Sequence, residues 1–106
     1  MDLVEALYEL TANFPKKEEY RLTNQLLRAA ISIPANIAEG QRRSTRKDYA
    51  KFISIAHGST AEVETFLIVA SRVKYASDEK IRPHLEAADE ISRMLNALRQ
   101  RLLSNG

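Results

Sequence analysis

The chain contains no cysteine, which removes disulfide scaffolds, thiol catalysis and thiolate zinc sites and fits a reducing compartment, so a cytoplasmic location is expected. Glycine occurs only at 40, 58 and 106. A glycine-rich phosphate loop cannot be built from so few. The N-terminus, Met1-Asp2-Leu3-Val4-Glu5, lacks a basic segment followed by an apolar one. No uncharged apolar run reaches the ~18 residues a membrane helix needs, so no membrane contact is expected. Strand-like alternation, internal repeats and low-complexity tracts are also missing. The two histidines, His57 and His84, have Ser54 and Ile81 three positions upstream, so the Glu-x-x-His spacing of di-iron bundles is absent. Serine and threonine are plentiful but have no recognisable base partner. The expectation is a protein that is not an enzyme and needs no metal or cofactor. A reading in which His57 meets Glu39 or Glu62 across a bundle is the residual alternative.

What remains is a helical pattern over 106 residues, 44% of them hydrophobic and 28% charged, which fits one ordinary globular domain spanning 1–106. Leu3, Leu7, Leu10 and Phe14 form one stripe and predict a first helix over 2–13. Pro15 breaks it. A second helix over 18–40 carries Leu22, Leu26, Ala29, Ile33 and Ile37, with Leu27, Ala30, Ile31, Pro34 and Ala38 beside them. A third, over 45–76, follows Tyr49, Phe52, Ile53, Ala56, Thr60, Val63, Phe66, Leu67, Ala70 and Val73. The fourth, over 78–103, carries Ile81, Leu85, Ala88, Ile91, Leu95, Leu98 and Leu102 at bundle-seam spacing. Short connections make antiparallel neighbours. The fold class read here is all-α, an antiparallel up-down-up-down four-helix bundle with a proline-interrupted second helix.

Ser32-Ile33-Pro34-Ala35-Asn36-Ile37-Ala38-Glu39-Gly40 is the organising stretch. Pro34 removes a backbone bond and crowds the carbonyl of Ala30, which predicts a kink or a restart. Asn36 and Glu39 are read as polar groups satisfying that irregularity, and Gly40 as a C-terminal stop. Gly58, in a run of small residues around His57, costs about 1 kcal/mol of helix propensity. Close packing against another helix is the expected compensation.

Charge is unevenly placed. Residues 1–40 carry four Lys/Arg against six Asp/Glu, residues 41–57 carry five against one, and residues 58–106 carry seven of each. The net charge of +2 therefore conceals a basic corner of Arg42, Arg43, Arg46, Lys47 and Lys51. Ser44 or Thr45 can cap the following helix, with Asp48 in its first turn, and the helix start adds backbone donors. Such a corner can neutralise RNA or DNA phosphates without reading sequence. The plainer alternative is a solvated loop on an assembly scaffold.

Phe14-Pro15-Lys16, Glu19-Tyr20-Arg21-Leu22-Thr23, Gln25-Leu26-Leu27-Arg28-Ala29-Ala30, the stretch from Ser32 to Gly40, and Gly58-Ser59-Thr60-Ala61-Glu62-Val63-Glu64-Thr65 together resemble a bacterial family. Its members are four-helix proteins encoded in intervening sequences of 23S ribosomal RNA genes, the S23-type ribosomal proteins. Members begin somewhat earlier and have a longer first helix. They are similar to the accessory protein of diversity-generating retroelements, a pentamer that binds nucleic acid and a reverse transcriptase. The resemblance implies a homo-oligomer, a pentamer, with RNA or DNA and a reverse transcriptase or ribosomal partner.

Overall fold

The computed structural model describes residues 2–19 and 21–104. The described residues form four α-helices and no strands: α1 Asp2–Thr11, α2 Leu22–Gln41, α3 Arg46–Arg72 and α4 Asp78–Leu103, with a 3-10 turn at Lys16–Glu18 between α1 and α2. The molecule measures 47 × 23 × 18 Å. No helix among the described residues is long and apolar enough to cross a membrane.

Each helix buries the stripe its spacing defines. Leu3, Leu7 and Leu10 of α1, Leu26, Ala29, Ala30 and Ile33 of α2, Ile53, Ala56, Val63, Leu67 and Ala70 of α3, and Ile81, Ala88 and Leu95 of α4 form one core. Helix α1 packs mainly on α2 and α4, and α3 lies between α2 and α4, diagonal to α1. Cross-helix contacts fix the relative directions. Ser32 meets Ser59 and Gly40 meets Tyr49, so α2 and α3 run oppositely. Ser54 meets Arg99, His57 meets Ser92 and Ser71 meets Asp78, so α3 and α4 do too.

Three local expectations need correction. Helix α2 contains Pro34 and still runs unbroken to Gln41, so the restart is absent. Asn36 Nδ2 donates to the Ser32 carbonyl at 2.8 Å and to the Ser32 hydroxyl at 2.9 Å. The Ser59 hydroxyl joins Ser32 at 2.9 Å from α3. This small polar cluster ties the proline-bearing turn to its neighbour, a tertiary bond that local propensity does not contain. Gly40 is not a left-handed stop. It is buried inside the last turn of α2, where an added Cβ would stand 2.8 Å from Tyr49 Cδ1 and 3.1 Å from Phe52 Cβ. Its missing side chain lets α2 and the start of α3 approach. Gly58 does the reverse of what its propensity cost suggests. It is exposed, and an added Cβ would meet nothing within 4 Å, because Ala56, Ser59 and Thr60 face inward instead.

Three helix ends also differ, the first being the start of α2, at Leu22 and not residue 18, because Lys16–Glu18 forms a separate 3-10 turn. Helix α3 closes at Arg72, before residue 76, because Lys74 adopts the left-handed conformation at φ 66° and the Tyr75 amide donates back to the Ala70 carbonyl at 2.9 Å. That is a Schellman closure made without glycine. Helix α1 ends at Thr11, whose hydroxyl donates to the Leu7 carbonyl at 2.9 Å, and Phe14 then turns inward at 7% exposure against the ring of Tyr75, 5.8 Å away.

Candidate nucleic-acid interface

The basic corner sits at the end of the bundle where α2 stops and α3 starts. Thr45 is extended, at φ −119° and ψ 151°, and its hydroxyl accepts the Asp48 amide at 3.1 Å. This cap ends the four-residue connection and starts α3 with Arg46 and Lys47 in the first turn. The five cations then divide by what they touch. Arg43 donates to Glu39 in an ion pair and lies over the Phe52 ring, 4.6 Å from its centroid. Arg46 reaches α4, with Nε donating to the Leu102 carbonyl at 3.2 Å and Nη2 to the Arg101 carbonyl at 2.5 Å. Arg42, Lys47 and Lys51 are exposed and make no side-chain ion pair or hydrogen bond among the described residues. Arg43 and Arg46 are therefore partly structural, and the other three point their charge outward.

The structure also adds residues that the linear reading passed over. The antiparallel register of α3 and α4 brings the last turns of α4 to the same end. Arg99 Nε donates to the Ser54 hydroxyl at 2.8 Å, and Arg101 is exposed on the turn that Arg46 holds. No local signal could have found them, since 45 residues separate Arg99 from Ser54 and 55 separate Arg101 from Arg46. Only the register does so.

Elsewhere the polar residues are engaged in packing. His57 Nε2 and the Ser92 hydroxyl are 3.0 Å apart across α3 and α4, and neither Glu39 nor Glu62 bonds to it. His84 is half-buried, and burial holds its pKa below the ordinary histidine value. No group of three or more His, Asp or Glu among the described residues could hold a metal ion. At the far end of the bundle Glu18 is buried at 6% exposure and accepts from Arg21 at 2.7 Å. The Arg21 hydrogen bond is the largest influence on Glu18 and holds its carboxyl below the usual glutamate value. Burial opposes this, while the Arg21 charge and the Tyr75 hydroxyl reinforce it. Burial likewise raises the Tyr75 phenol, helped by the nearby Glu18 charge.

Comparison with known proteins places this geometry in a family. The chain is similar over 91% of its length, at 27% identity and a TM-score of 0.80, to 87% of a Bacteroides thetaiotaomicron protein of unknown function from the S23 ribosomal protein family, known from its crystal structure. Among curated proteins nothing matches. The family described as 23S rRNA-intervening sequence protein matches residues 1–97. An all-helical chain with that match over nearly its whole length belongs to the 23S rRNA-intervening sequence protein family.

Proposed function

We propose that this protein is a non-enzymatic, cytoplasmic, homo-oligomeric bundle of up-down-up-down topology that holds RNA or DNA backbones at its basic end, in a ribosomal-RNA intervening-sequence or retroelement setting. One observation carries the reading: Arg42, Lys47 and Lys51 are exposed around a single helix junction and have no internal partner among the described residues. Cations left unpaired at one end can release counterions from a phosphate backbone. Arg43 and Arg46 hold the junction in place, and Arg46 covers α4 carbonyls that would repel an anion. Binding of labelled structured RNA and duplex DNA across a salt series tests this. Three neutralised phosphates predict a log–log slope of about −3 on B-form DNA. Absence of binding at low salt would overturn the proposal.

A second reading, an assembly scaffold without direct nucleic-acid binding, draws on the outer face of α3. Ile55 is 44% exposed and Val69 39%, and at helical spacing they fall on the side of α3 that carries Gly58, whose surface is open. Small and apolar residues on an uncovered helix face suit close helix contact between copies, as a homopentamer would need, or contact with a reverse transcriptase or ribosomal partner. Light scattering of the native chain and of Gly58→Arg tests it. A native monomer at micromolar concentration, or an unchanged oligomer in the variant, would contradict assembly through this face.

A further inference from the structure

We infer, resting on the phosphate-binding reading above, that the basic end takes double-helical nucleic acid in preference to single strands, and that α4 contributes a second row of contacts through Arg101 and Arg99. Proteins that hold single strands combine a basic groove with exposed aromatic rings on which successive bases stack. Both aromatic residues at the basic end are committed inside the protein. Tyr49 is half-buried and crowds the bare backbone of Gly40. Phe52 is half-buried too, with the Arg43 guanidinium over its ring at 4.6 Å. The exposed aromatic among the described residues is Tyr8, at 52%, and it belongs to α1, which leads into Phe14 and its contact with Tyr75 at the opposite end. The basic end therefore offers charge without a stacking platform.

The charge is also arranged on more than one track. Lys47 and Lys51 stand one turn apart on α3, while Arg101 and Arg99 stand on α4 beside Arg46 and Ser54 respectively. Packed neighbouring helices lie about 8–10 Å apart, so the two tracks are separated by a distance within the range of the B-form groove widths of about 6 and 12 Å. A single strand presents one row of phosphates, and a duplex presents two rows across a groove. Cations on two neighbouring antiparallel helices suit the second. The α4 carbonyls between the rows are covered by Arg46, which removes the negative helix end that would repel phosphate.

Fluorescence anisotropy at one low salt concentration tests this, using an RNA hairpin duplex, a DNA hairpin duplex and an unstructured single strand of matched length. The expected result is duplex binding tighter than single-strand binding by about tenfold or more, with the RNA and DNA arms showing which backbone is taken. Arg101→Glu, whose side chain has no internal partner among the described residues, should weaken duplex binding severalfold with helix content unchanged by circular dichroism. A single strand bound as tightly as the duplexes would overturn the preference while leaving the phosphate-binding reading intact. Unaltered duplex binding by Arg101→Glu would overturn the contribution of α4. Failure of all three probes to bind would overturn the phosphate-binding reading itself.

Discussion

Gly40 and Gly58 both sit in helical backbone, yet substitution should move them in opposite directions. At Gly40 a methyl group would press on Tyr49 Cδ1 at 2.8 Å and on the Tyr49 carbonyl at 3.2 Å. The second contact is backbone and cannot swing away. Gly40→Ala is expected to lower unfolding free energy by about 1–3 kcal/mol, the usual range for overpacking. At Gly58 the methyl meets open space, so Gly58→Ala should raise stability by up to about 1 kcal/mol through helix propensity alone. Urea unfolding of both variants checks the pair, and equal signs would contradict the packing described. Glu18 makes a pH-dependent contribution. Its carboxyl titrates below the ordinary value of 4.5 because of Arg21, so its stabilisation is fully present above that pH and is lost as pH falls through the lower, folded-state value. Glu18→Gln should flatten the acid limb of the stability curve below pH 4.5 and, because the Glu18 charge helps raise the Tyr75 phenol, should also lessen the loss of stability above pH 10.

Elements are joined here by residues whose partners lie far along the chain. Arg46 belongs to the first turn of α3 but satisfies the last carbonyls of α4. Arg46→Ala should cost about 0.3–1 kcal/mol, as for other cations at a helix C-terminus, and should speed amide exchange in the last turn of α4 more than in α2. Uniform exchange would contradict this. The sequence made the helices legible because Leu3, Leu7 and Leu10, or Ile81, Ala88 and Leu95, repeat at a spacing that buries one face. The Thr45 cap was legible for the same reason, being a local bond to Asp48. Where a position depends on a neighbouring helix, the linear pattern fails. Pro34 is accommodated in a helix tied to Ser59, and Gly40 answers to Tyr49. Arg42, Lys47 and Lys51 could be picked out as a basic run, whereas Arg99 and Arg101 enter only through the α3–α4 register.

At the scale of the molecule the two ends differ in what closes them. The end that joins α2 to α3 gathers Arg42, Lys47, Lys51 and Arg101, all exposed. The opposite end is closed by Glu18, Arg21 and Tyr75 around the connections before α2 and after α3. Exposed Ile55, Ile68 and Val69 lie along α3 between them. In an oligomer built through α3, each copy would repeat its basic end, and several weak phosphate contacts would act together. On the proposed reading, the exposed, unpaired cations of this end hold phosphate backbones. The most direct measurement is low-salt binding of labelled structured RNA and duplex DNA to the native chain and to Arg42→Glu, Lys47→Glu, Lys51→Glu combined, with helix content and oligomeric state checked in parallel. Loss of binding by the variant with fold and assembly intact is the predicted result. Equal binding by the two proteins would contradict it.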